Sequence, residues 1–207
     1  MSTIKTTNLT HASNSGTANM VLASDGGITF AKKPALGRQV LEEFFTPCDG
    51  SVIATSNGNI TIGDVDAAVD QTTSYVDVPG SSITYTPPTG ATQVIYEYRF
   101  HWGAGDSIPL FNMKLFLAGT EVSEARSTQY AGQRDQEVYF KWAFNIGGSA
   151  VDATGRVASW SSGKEIKLQG REYGASNEVS LFKIYYWDGS TAQAIFTRPS
   201  VGITAIG

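Results

Sequence analysis

From about residue 51 onward, apolar and polar side chains alternate with a period of two. Val94, Tyr96, Tyr98, Phe100 and Trp102 alternate with Ile95, Glu97, Arg99 and His101. Val138, Phe140, Trp142, Phe144 and Ile146 alternate with Glu137, Tyr139, Lys141, Ala143 and Asn145, and Phe111, Met113, Leu115 and Leu117 follow the same rule. Each run predicts a strand with one buried face and one wetter face. Shorter strands are predicted over 52–55, 59–63, 74–78, 82–86, 156–160, 165–173, 179–187, 194–198 and 201–206. Turn signals separate them: Asn57-Gly58, Pro79-Gly80, Pro87-Pro88, Ala118-Gly119, Gly147-Gly148 and Asp188-Gly189. Many short strands with no helix between them predict an all-β domain over 51–207, an antiparallel β-sandwich or jelly roll.

The pattern before residue 51 is different. Over 1–31, Ile4, Leu9, Met20, Leu22, Ile28 and Phe30 are separated mostly by Thr, Asn, Ser and Gly. Met20–Leu22 leads into the turn signal Ser24-Asp25-Gly26-Gly27, and Ile28–Phe30 follows, which predicts a short hairpin. Such a hairpin has too little apolar surface to stand alone. Residues 1–31 are therefore read as an extended assembly arm, with those six apolar residues as its contacts. Residues 32–50 read as a connector holding one short helix over 34–45. Leu36, Val40, Leu41 and Phe44 fall at helical spacing, Pro34 suits the first turn, and Pro47 and Gly50 end it.

Composition narrows the function. Charged residues are 16% of the 207-residue chain, and the net charge is −4. A nucleic-acid partner needs a basic stripe to displace counterions, and the longest basic cluster is Lys32-Lys33. One cysteine, Cys48, cannot form an intrachain disulfide, which suits a reducing compartment. No apolar run reaches the roughly 20 residues of a membrane span, so no membrane insertion is expected. The N-terminus lacks the apolar core of a signal peptide, so export by the usual route is not expected.

Candidate chemistry is sparse. His11 lies in the arm and His101 on the wetter face of an aromatic strand, with no Gly-x-Ser-x-Gly elbow to present a nucleophile. Cys48, His11 and His101 are too few and too scattered for a zinc site. Asp64, Asp66 and Asp70 lack the central glycine and terminal glutamate of a calcium loop and read as a solvated turn. No phosphate-cradling glycine loop or other cofactor motif is present. A glycosidase needs two carboxylates facing one groove, and the spacing of Glu97, Asp106, Glu121, Glu124, Asp135, Glu137, Glu172 and Glu178 selects no pair. The reading is of a non-enzymatic protein without cofactor or metal. Aromatic residues carry the strongest binding signal. Tyr130, Trp160 and Trp187 sit in polar or turn-like surroundings, where an exposed ring can stack on a sugar or anchor an interface. The alternative is that each folds back onto its own domain.

Two stretches carry a resemblance. Ile4–Leu22 with Ser24–Phe30 resembles N-terminal segments of phage tail-fibre and other virion proteins, which run Ser-Gly-Thr-Ala-Asn into a short apolar stretch and an Asp-Gly turn. Thr73–Tyr98 is similar to the opening of small jelly-roll domains in phage fibre and appendage proteins. Those domains continue into a strand and turn like Lys114–Val122 and finish with a strand like Val201–Gly207. The resemblance implies a tailed-phage virion location, a TNF-like jelly roll, homotrimerisation, and contact with capsid, tail or baseplate proteins. It implies no catalytic residue. Residues 32–50 are too few for a fibre shaft, so a fibre built from this chain is stubby. The alternative is a capsid-surface decoration protein pinned by its arm. A carbohydrate-binding head that recognises a host surface glycan is compatible with both, and a glycan-cleaving enzyme stands as a further class.

Overall fold

A computed structural model describes residues 8–9, 20–22, 28–30, 38–103, 109–130, 135–175, 179–189 and 191–207. Ile4, His11 and the predicted helical positions 34–37 lie outside the described residues. The chain divides into two compact units, Met1–Arg38 and Gln39–Gly207.

The first unit holds a three-stranded antiparallel ribbon: β1 (Asn8–Leu9), β2 (Met20–Leu22) and β3 (Ile28–Phe30). Met20 pairs with Phe30 and Leu22 with Ile28, the antiparallel pairing expected of these two strands, while the predicted turn Ser24–Gly27 lies outside the described residues; β1 adds a third strand by pairing Leu9 with Met20. Leu9, Met20 and Phe30 thus occupy one row across the ribbon, with Leu22 and Ile28 two positions along.

The second unit is all-β. Its strands are β4 (Val40–Pro47), β5 (Val52–Thr55), β6 (Gly58–Thr61), β7 (Val69–Asp70), β8 (Val76–Asp77), β9 (Ile83–Tyr85) and β10 (Gln93–Gly103). They continue with β11 (Leu110–Leu117), β12 (Thr120–Tyr130), β13 (Gln136–Asn145), β14 (Lys164–Glu172), β15 (Ser180–Leu181), β16 (Lys183–Trp187), β17 (Ala192–Phe196) and β18 (Ser200–Ile206). One sheet runs β4-β18-β10-β15-β7, with β13 on the other edge of β10. The second runs β12-β11-β14, and β9 and β8 pair successive parts of β14. The small hairpins β5-β6 and β16-β17 complete the unit. Among the described residues all strand pairs are antiparallel, so the sandwich expected from the period-two pattern is present.

The alternation builds the core directly. Val94, Tyr96, Tyr98, Phe100 and Trp102 of β10 are buried, as are Phe111, Met113, Leu115 and Leu117 of β11. Phe111 meets Phe100 edge-to-face at 6.1 Å between ring centroids and Trp102 at 5.8 Å, which ties the two sheets together. Buried phenols find acceptors: the Tyr96 hydroxyl donates to Ser81 O at 2.7 Å, and the Tyr98 hydroxyl to Pro79 O at 2.5 Å.

The predicted helix over 34–45 is a correction. Val40–Pro47 is β4, antiparallel to β18. Apolar residues at 40, 41, 44 and 45 fit a helical stripe, and they equally fit a strand with apolar residues on both faces. The free edge of β18 decides, because seven residues of its backbone gain ladder partners from β4. Phe44 then faces Tyr85 edge-to-face at 6.4 Å, while Phe45 lies over Gly202, where a Cβ would stand 2.5 Å from the ring. The predicted strand over 156–160 also gives way, to isolated bridges at Arg156 and Val157.

Candidate functional site

The three aromatics singled out from the sequence have different fates. Trp160 is only 5% exposed. Its indole N–H donates to Tyr85 O at 2.9 Å, and its ring meets Phe144 edge-on at 5.8 Å. Exposure is therefore corrected at this position: Trp160 seals the core, because burying its large ring outweighs the polar character of Ser159, Ser161 and Ser162. Tyr130 and Trp187 are each 54% exposed. Tyr130 ends β12 in the second sheet, and Trp187 ends β16 in a separate hairpin, so the fold places them on different elements.

Around Tyr130 the register assembles a face that the sequence did not reveal. Tyr130 pairs with Leu110, and the Tyr173 N–H donates to Leu110 O at 3.0 Å. Tyr130, Leu110 and Tyr173 thus form one row across three adjacent strands, with both phenols exposed. The backbones that carry the two flanking tyrosines stand two strand spacings apart, about 10 Å. In the next row Thr128 donates to Asn112 Oδ1 at 2.8 Å, and Arg171 pairs with Asn112. The Arg171 guanidinium lies 5.1 Å from the Tyr75 ring centroid and the Lys114 ammonium 4.6 Å from it, so one ring stacks two cations. Lys114 also reaches Glu121 at 3.1 Å, and Arg126 reaches it at 2.5 Å. The Arg126 hydrogen bond, reinforced by Lys114, holds the Glu121 carboxyl below its usual range. Sequence reasoning missed Tyr173 and Tyr75 because only cross-strand register brings Tyr173 into the row of Tyr130 and Tyr75 beside Arg171 and Lys114.

The outer face of the first sheet has a different character. Phe45, Glu97, Arg99, Glu137 and Tyr139 line an open depression of 420 Å³. Arg99 pairs with Glu137, Lys141 with Glu97 at 2.5 Å, and the Tyr139 hydroxyl donates to Glu97 at 2.6 Å. Partial burial raises the Glu97 carboxyl, but hydrogen bonds from Lys141 and Tyr139 outweigh this and hold it low. These charges neutralise one another, so little is left to bind a charged ligand.

The other sequence candidates serve the fold. Asp64 pairs with Arg198 at 2.8 Å, and Asp70 accepts a short hydrogen bond from the Ser180 hydroxyl. The His101 backbone carbonyl accepts from Phe182 N–H at 2.7 Å, and its register partner is Glu137. Cys48 is buried, and that burial pushes its thiol up to about 12. The arm residues Leu9, Met20, Leu22, Ile28 and Phe30 lie on the ribbon of the first unit.

No family model and no curated protein matches the chain. Among solved structures, one of infectious bursal disease virus, Gx strain, is similar over 90% of this chain and 70% of that chain, at 10% identity and a TM-score of 0.33. One of the Gt strain is similar over 75% of this chain and 46% of that chain, at 12% identity and a TM-score of 0.26. At these TM-scores the likeness carries no argument about function.

Proposed function

We propose that the protein is a non-enzymatic structural component of a tailed-phage virion, a short tail-fibre or appendage subunit that assembles as a homotrimer. The arm anchors it to another virion protein, and the sandwich is the displayed head. The observation that carries this reading is the contrast between the two units. Among the residues whose burial is described, the buried apolar core runs from Cys48 onward, and the described strands of the ribbon hold two or three residues each. A ribbon of that size needs a further surface to be stable. Addition to a neighbour's sheet edge supplies backbone hydrogen bonds for affinity and alternating apolar residues for register. Light scattering on the full chain and on a chain lacking residues 1–31 tests this. A trimer in both places trimerisation in the sandwich and supports the appendage reading; a monomer in both favours the capsid-decoration alternative. Failure of the shortened chain to fold would overturn the division of labour.

A second reading, compatible with the first, is glycan recognition by the Tyr130–Leu110–Tyr173 row. Exposed rings on a flat sheet face suit sugar stacking, and Thr128, Asn112 and Arg171 beside them offer polar contacts. On a glycan array, Tyr130→Ala and Tyr173→Ala each abolish the signal given by the unaltered protein; binding that survives both changes excludes this face.

A further inference from the structure

The turn end of the β11-β12 hairpin and the 3-10 turn Asp152–Thr154 enclose a cleft of 150 Å³. Its floor is apolar: Leu117 and Val122 are buried, and Val157 is half-buried. Arg156, Lys164 and Asp152 also line it. Among the described residues, none of these three makes an ion pair, although most other charges on this unit's strands do.

The cleft is built in advance of any ligand. Gly155 sits at φ +70°, and a Cβ there would come 2.7 Å from the Phe144 ring, so only glycine lets the turn lie this close to the core. The Gly155 N–H donates to Asp152 O at 3.0 Å, and the Arg156 N–H to Val151 O at 3.1 Å. From below, the Trp142 indole N–H donates to Thr154 O at 3.1 Å. On the opposite wall the Ala118 N–H donates to Glu165 O at 2.7 Å.

Size, charge and hydrogen bonding together define the ligand. Pockets for drug-sized molecules run from about 300 to 1,000 Å³, so this one takes a single ring. Two cations against one carboxylate favour a ligand of net charge −1. The Asp152 carboxylate accepts hydrogen bonds, so a ligand that also offers a donor gains a further contact there. A plain hydrocarbon acid has none. A zwitterionic amino acid has one but is neutral overall and leaves a cation unmatched. A pyranose acid meets all three demands, with its carboxylate toward Arg156 and Lys164, a hydroxyl toward Asp152 and its C–H face on Leu117, Val122 and Val157.

We infer that this cleft is a binding site for one hexuronate ring. It is separate from the tyrosine row, and it holds whether or not that row binds glycan. The test is an NMR titration of the full chain with sodium D-glucuronate, D-glucose and L-leucine at matched ionic strength. Glucuronate is expected to shift the amides of Leu117–Val122 and Gly155–Val157 saturably in the millimolar range, with glucose and leucine at least roughly tenfold weaker. Arg156→Gln and Lys164→Gln each remove one charge-assisted contact at the surface and are expected to weaken glucuronate roughly tenfold or more, with the remaining amide shifts unmoved. Equal affinity for glucose or leucine overturns the assignment, as does the absence of saturable shifts with glucuronate, or a Kd unchanged in both variants.

Discussion

The ribbon and the sandwich are both antiparallel β-structure, yet they differ in what each can sustain alone. β10 is paired with ten residues of β13 along one edge and seven of β18 along the other, and its inner face is a continuous row of buried rings. The ribbon's longest pairing, β2 with β3, spans three residues. Backbone ordering costs about 1–2 kcal/mol per residue, and only buried surface offsets it. The sandwich has that surface within its own chain. The ribbon has a row of apolar positions, and under the proposed function it gains the rest from a partner. Antiparallel pairing of the same kind can therefore build a self-sufficient domain or a small ribbon, depending on how many rows are stacked.

Substitutions break this comparison in graded steps. The largest effect is expected at Phe100 or Phe111, where alanine leaves a cavity between the sheets and costs about 3–5 kcal/mol in urea unfolding. Phe30→Ala in the ribbon is expected to change that same transition by less than about 0.5 kcal/mol. A comparable loss for Phe30 would show that the ribbon belongs to the sandwich core. Trp160→Phe comes next. It keeps an aromatic ring against Phe144 but leaves the buried Tyr85 carbonyl without its donor, at a cost of about 1–3 kcal/mol. A smaller loss would mean that the indole N–H contributes little.

Alkaline pH separates the units through Cys48, which belongs to the sandwich. Its thiol is raised from an ordinary 9.0 to about 12 by burial. A raised folded value means that the contribution is fully present below pH 9 and is lost as pH climbs toward 12. The native thiol is accordingly expected to resist alkylation at pH 9 and to react at the unfolded rate once urea opens the sandwich. Rapid alkylation of the native protein would contradict the burial. The smallest stability effect is expected from Tyr130→Ala, within about 0.5 kcal/mol, because the ring is exposed; its effect should be confined to ligand binding.

Much of the fold is legible in the sequence. The long strands at 93–103, 110–117, 136–145 and 164–172 announce themselves, because one face must be apolar to close the core. Two strands hide for opposite reasons. β4 carries apolar residues on both faces and mimics a helix, since Phe45 covers Gly202 from outside while Phe44 packs inward. β12 is an edge strand with only Val122 and Ala125 buried over 11 residues, so it reads as a polar loop. The candidate sites are less legible still. Trp160 looks exposed among serines, but its surroundings are set by Tyr85 and Phe144, far away in sequence. Tyr130, Tyr173 and Tyr75 become one face only through register, and Arg156 and Lys164 line one cleft only because the segment after the 3-10 turn folds beside the start of β14.

The most direct test of the two-unit account is a thermal melt and a mass measurement on the chain lacking residues 1–31, beside the full chain. The account predicts one cooperative β-sheet melt with a Tm within about 2 °C of the full chain, since a change below about 0.5 kcal/mol moves Tm by no more in a domain of this size. The number of subunits per particle should be unchanged, with trimerisation retained by the sandwich and the mass falling only by that of the deleted residues. A shortened chain that melts many degrees lower, or that does not fold, would contradict the account and place the ribbon inside the folding unit it is held to serve only as an anchor.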